Sequence, residues 1–335
     1  MGTYILKFIA KNCLIERIMK KEVLVLCVKL FVCLLLPFEI FNLIYSHVEF
    51  NFTDNAMTKF RKVPYGIQVA NTGSSHGYNF DYSEFPEYKT FNFNLSMQAT
   101  NYDYHVINQY INHMAENSVL FIPVSFGEVN GIQPDFQYEK IKKRYYHFLK
   151  PKNIENYNFF DALKQKYFPV VCEAHPFKTV FNHYFPKKSS PAAERTDEEF
   201  AASITKELVL HSFETMFPDC GQEGFDYNFG YLMKIIKLCN EHKVYPVVVT
   251  CPVPDLTSLY YSETGFFENY EIYRNRVLME VHRNGMNCLW YDYSRSQDFC
   301  HNYEYFKDIS HMSDKGAKAF TADIISKVKK QNVLK

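Results

Sequence analysis

Two short stretches carry side chains suited to a shared reaction. In ANTGSSHGYNF (70–80) an apolar run ends abruptly at Gly73, and two hydroxyls, Ser74 and Ser75, follow with an imidazole, His76. In YFKDISHMSDKGAKAFT (305–321) Asp308 stands three residues before His311, just ahead of a helical pattern. A serine is inert without a base, and the base works best when a carboxylate fixes its tautomer. One turn of loop directs Asp308 and His311 to the same side, so one imidazole nitrogen faces the carboxylate and the other is left for a hydroxyl. Ser313 then reads as the N-cap that holds this loop at a rigid helix start.

The elements between these stretches set their relative placement. Apolar runs at 66–71, 89–96, 118–126, 244–253 and 286–294 read as strands. Helical spacing at 102–117, 229–243, 269–285 and 314–330 alternates with them. This alternation predicts an α/β fold, a three-layer α/β/α sandwich around a mostly parallel sheet. Ligands bind outside the carboxyl ends of such strands, and Gly73–Ser75 follows the first strand directly. Residues 133–225 break the rhythm and read as a helical insertion or lid within the same domain.

Charge and composition exclude other classes. Lys plus Arg number 37 and Asp plus Glu 37, so no electrostatic footprint for nucleic acid exists. Hydrophobic residues make up 47% of the 335, ample for a packed core. Metal-ligand spacing is absent, and neither a metal nor an organic cofactor is expected. Cys220 and Cys300 read as polar-loop cysteines able to pair, whereas Cys239, Cys251 and Cys288 read as buried thiols.

The N-terminus differs in kind. Residues 23–45 form an apolar stretch interrupted by Lys29, Pro37, Glu39 and Asn42, long enough to cross a hydrocarbon core of about 30 Å. Residues 1–22 form a basic leader, which by the positive-inside rule keeps the N-terminus cytoplasmic. Residues 46–335 are then an extracytoplasmic domain on a single-pass signal anchor. In a eukaryotic lumen Asn51 (NFT) and Asn94 (NLS) would be glycan acceptors.

The GSSH turn followed by Gly77, with the terminal DxxHMSDKGA, resembles the SGNH/GDSL hydrolase superfamily over about residues 66–330. The resemblance implies that Ser75 is the nucleophile, His311 the general base and Asp308 its orienting partner. It further implies oxyanion donors at Ser75, at Met97 where the family carries a Gly, and at Ser125 where the family carries an Asn, Asn130 being less well placed. The anchored layout and the GSS variant also resemble the branch that holds the D-alanyl transfer protein of teichoic acid modification.

The expected activity is a serine esterase or O-acyltransferase acting on an acylated cell-surface glycan or polyol. The alternative is a weakly catalytic or non-catalytic accessory protein that binds a surface polymer or a membrane acyltransferase. His76 reads as a loop residue rather than a second base. Tyr102 and Asp103 border the site or merely open a helix. His175, His183, Arg274 and Arg276 read as solvated surface.

Overall fold

A computed structural model describes residues 2–53, 56–129, 142–186, 196–216, 221–263 and 265–334. Five parallel strands form one sheet: β1 (Ile67–Asn71), β2 (Thr90–Asn92), β3 (Met114–Pro123), β4 (Tyr245–Thr250) and β5 (Leu289–Asp292), in the order β2-β1-β3-β4-β5. Val69 pairs with Thr90 on one side and Val119 on the other, and Val119 with Tyr245. Consecutive residues of β3 from Ser118 to Pro123 and of β4 from Pro246 to Thr250 are buried, so neither face of the central sheet meets water. That burial explains their continuous apolar sequence rather than an alternating one.

The labelled helices are α1 (Gly2–Phe52), α2 (Thr100–Tyr110), α3 (Phe159–Tyr167), α4 (Pro176–Tyr184), α5 (Asp197–Ser203), α6 (Lys206–Met216), α7 (Gly221–Glu241), α8 (Asp255–Ser262), α9 (Phe266–Arg283) and α10 (Asp314–Lys330). The α7 helix packs along α2 and onto β4, and α10 packs against the turn at Ser75. Its start is fixed as expected, with the Ser313 hydroxyl accepting from the Gly316 N–H at 3.2 Å.

Several boundaries differ from the sequence pattern. The helix expected over 102–117 stops at Tyr110, and Met114 already pairs with Ile67. Parallel pairing beside β1 overrides the helical propensity of Met114–Glu116, and Asn117 absorbs the irregularity at φ +60°. The strand expected over 89–96 contracts to Thr90–Asn92, although the Phe93 and Leu95 N–H groups still reach the Asn71 and Gly73 carbonyls beyond it. Within 133–225, helices α3 to α6 and the start of α7 are present, while 133–141, 187–195 and 217–220 lie outside the described residues. Glu155 ties this region to the sheet-flanking helices by accepting from Asn101 at 3.0 Å and Tyr227 at 3.0 Å.

The α1 helix contains a stretch, Lys20–Phe52, long and apolar enough to cross a membrane, with mean hydropathy 2.5 over its best window. Its last turns are not free. Asn42, Tyr45, Val48, Glu49 and Phe50 are buried against the domain, and Lys143 bridges Glu49 at 2.7 Å and Glu173 at 2.9 Å. Asn42 and Tyr45, placed by sequence inside the apolar span, therefore meet protein.

Candidate functional site

The Ser75 turn is assembled from glycines whose Cβ positions are already occupied. Gly73 has φ +108°, a conformation that L side chains resist, and a Cβ there would lie 3.0 Å from Pro123 Cγ at the end of β3. A Cβ on Gly77 would come within 2.3 Å of Asn94 Cβ. Between them Ser75 opens a short 3-10 helix, Ser75–Asn79, where the first N–H groups have no intrahelical acceptor. The strand order reverses between β1 and β3, and Ser75 stands at the carboxyl end of that reversal.

The Asp308–His311 loop arrives from the other end of the chain. His311 Nε2 lies 2.8 Å from Ser75 Oγ across 236 residues of sequence, and His311 Nδ1 lies 2.9 Å and 3.0 Å from the two Asp308 oxygens. Asp308 also accepts from the Ser310 N–H at 2.9 Å and the His311 N–H at 2.8 Å. Burial opposes its charge, but the hydrogen bond and charge of His311 with these two N–H groups outweigh it and hold the carboxyl down at about 2. A carboxylate ionised at neutral pH on Nδ1 leaves Nε2 to accept a proton from a hydroxyl.

Two links clamp the loops together. Asn79 Oδ1, four residues past Ser75, accepts from the Met312 N–H at 3.3 Å, and Thr321 on α10 takes the Asp81 N–H at 2.9 Å. Gly316 sits where a Cβ would strike the Tyr305 carbonyl, at 2.2 Å, so α10 starts hard against the histidine loop.

Three residues gain roles beyond the sequence pattern. Asp103 is buried beneath the turn, accepting from Thr72 Oγ1 at 2.6 Å, Gly73 N–H at 2.8 Å and Gln98 Nε2 at 2.6 Å. Burial pushes its carboxyl up to about 6 against these three donors. His76 stacks on His311 with ring centroids 5.4 Å apart, and burial followed by the His311 charge pushes it down to about 4. Lys59 donates to the backbone oxygen of Asn94 and, at 3.0 Å, to its side-chain oxygen, while Asn94 Nδ2 donates to the Ser74 carbonyl at 3.2 Å. Burial, then the Arg144 charge, lowers Lys59 to about 7. The signal for Asp103 was its closeness to the second motif; nothing in the sequence marked Lys59.

The oxyanion candidates follow three adjacent strands: Ser75 after β1, Met97 after β2 and Ser125 after β3. Met97 has φ +54°, the left-handed region glycine favours, and is 45% exposed. Asn130 lies outside the described residues.

Other expectations are revised. Asn94 is fully buried, so its NLS sequon is unavailable to a glycan, and the cause is its duty in the Ser75 turn. Cys300 is a buried free thiol donating toward the Tyr293 and Ser294 carbonyls at 3.4 Å rather than a polar-loop cysteine, and Cys220 lies outside the described residues. Tyr102 is buried, its ring stacked 3.7 Å from Tyr145. Arg274 and Arg276 stay at the partly exposed surface, paired there with Glu271 and Asp226. A cleft of about 750 Å³ lined by Gln68, Glu116, Lys243 and Leu334 opens at the strand N-termini, away from this chemistry. No protein-family model and no curated protein sequence matches the chain, so the geometry alone carries the functional reading.

Proposed function

We propose that this chain is a membrane-anchored serine esterase or O-acyltransferase of the SGNH/GDSL type, with Ser75, His311 and Asp308 as its triad. The observation that carries this reading is the continuous hydrogen-bonded chain from Ser75 Oγ through both nitrogens of His311 to Asp308. The sheet order, the fully buried central strands and the helices packed around them support a three-layer α/β/α sandwich.

Ser75 Oγ attacks the ester carbonyl carbon while its proton passes to His311 Nε2, and Asp308 stabilises the imidazolium through Nδ1–H. Negative charge on the former carbonyl oxygen meets the Ser75 and Met97 N–H groups and Ser125. The ester C–O bond breaks, the Nε2 proton leaves with the alcohol oxygen, and an acyl-Ser75 remains. Water or an acceptor hydroxyl then attacks the acyl carbon, giving its proton to Nε2, and Ser75 is released.

The α1 helix places the domain beside a membrane, with the N-terminus cytoplasmic, and acylated surface glycans or polyols are the substrate class. Full-length protein exposed to p-nitrophenyl acetate tests this: intact mass should rise by one acetyl group on Ser75, and added glycerol should discharge it. An unmodified Ser75 in folded protein would favour the accessory-protein reading, in which Met97 and Ser125, replacing the expected Gly and Asn, mark an eroded oxyanion hole.

A further inference from the structure

Outside α1, more large apolar side chains are exposed between Phe159 and Phe185 than in the remainder of the described domain. Neither α3 nor α4 has a single buried residue. Phe160 is 72% exposed, Tyr167 56%, Phe177 73% and Phe181 61%. A soluble surface rarely gathers such residues, and never for stability. Exposed Lys164, Lys166 and Lys178 are interleaved with them, the pattern of aromatic and basic residues that settles at a membrane–water boundary.

The patch runs along the last turns of α1, from Phe41 to Phe52, whose ring lies 4.5 Å from that of His183 near the far end of α4. Asn42 Nδ2 donates to the Tyr167 carbonyl at 2.7 Å, the Val170 N–H donates to Asn42 Oδ1 at 3.3 Å, and the Phe41 ring stacks on Phe177 at 4.2 Å. From Lys21 to Phe41 a helix rises about 30 Å, one hydrocarbon thickness. The Tyr167 and Phe177 end of the patch therefore meets α1 where that helix leaves the hydrocarbon, and α4 climbs from there into the headgroup layer. The ion pairs of Lys143 to Glu49 and Glu173 lock the joint just beyond it.

We propose that α3, the Pro169–Cys172 turn and α4 form a second, monotopic membrane contact, seated in the headgroup–acyl boundary beside α1. This rests on α1 being a membrane span and is independent of the triad. Held at two contacts, the domain cannot swivel on its anchor, and Ser75 stays at a fixed height over the lipid. The occupant is the bilayer itself, because continuity with α1 brings the patch there without any partner.

The chain has one tryptophan, Trp290, which permits a direct depth measurement. Full-length Trp290→Phe protein carrying Phe160→Trp, Phe181→Trp, Leu30→Trp or Ile272→Trp is placed in phosphatidylcholine–phosphatidylglycerol nanodiscs, one set with acyl chains brominated near the headgroup, to read the patch, and one set brominated near the chain terminus, to read Leu30→Trp. The same four changes made with Trp290 retained, read as differences, guard against misfolding of the Trp290→Phe background. Bromolipid should remove emission from Phe160→Trp and Phe181→Trp and leave Ile272→Trp, at an exposed position of α9, unaffected. Quenching of the two patch variants by aqueous iodide instead, or protection from both quenchers by a protein partner, would overturn the proposal while Leu30→Trp still reports a span. An unquenched Leu30→Trp would remove the span reading and this contact with it.

Discussion

The two loops that meet at the site are held by opposite means. The Ser75 turn is braced from outside itself: Asp103 and Gln98 come from the segment after β2, Pro123 from β3, and Asn94 fills the space Gly77 leaves. The Asp308–His311 loop is braced largely from within, Asp308 gathering two backbone N–H groups and the imidazole inside four residues. Buried tertiary support makes the Ser75 turn rigid. Local support leaves His311 partly exposed.

That contrast also explains what was legible in the sequence. The D-x-x-H spacing reads directly, because its geometry is created by three residues of chain. The Gly73-Ser74-Ser75 turn reads as well, since only glycine tolerates φ +108° packed on Pro123. Asp103 reads only in part: its closeness to the second motif marks it, but an acidic residue in a first helical turn has an equally ordinary explanation in the helix dipole. Its role exists only once Thr72, Gly73 and Gln98 converge on it. The early strand start at Met114 and the burial of Cys300 were hidden for the same reason: both depend on neighbours distant in sequence.

The contrast can be broken at four points, in descending size. Removing either reacting partner, by Ser75→Ala or His311→Ala, should cost about 10⁶-fold in kcat for acyl transfer, and the double variant should be no worse. Asp308→Asn should cost about 10⁴-fold, since the amide oxygen still accepts the loop N–H groups but no longer holds Nδ1–H. Steady-state kinetics and thermal melts on the same samples separate this from unfolding. A drop in stability matching the rate loss would contradict it.

Gly73→Ala should destabilise the fold by about 1–3 kcal/mol through strained φ and the Pro123 contact, measured by urea titration. Ser310→Ala, in the self-braced loop, should cost less than about 1 kcal/mol. An inverted order would mean the supports are assigned to the wrong loops.

The smallest effect is in pH dependence. His76 is held down at about 4, so its contribution to stability is present above its ordinary 6.5 and lost as pH falls through 4. Asp103 is held up at about 6, so its contribution is present below its ordinary 3.8 and lost as pH rises through 6. The two oppose one another between about pH 4 and pH 6, each with a slope of at most about 1.4 kcal/mol per pH unit. Relative to the parent protein, His76→Gln should therefore lose less stability on acidification and Asp103→Asn should lose more. His147, also pushed down to about 4 chiefly by burial, contributes the same background to every variant. Denaturant titrations at pH 4, 5 and 6 check the signs.

The measurement that bears most directly on the central claim is intact-mass analysis of the full chain after treatment with a fluorophosphonate, comparing the parent protein with Ser75→Ala and His311→Ala. An activated serine predicts stoichiometric labelling of the parent protein at Ser75 and none in either variant. Labelling that persists in folded His311→Ala, or a folded parent protein that stays unlabelled, would contradict it.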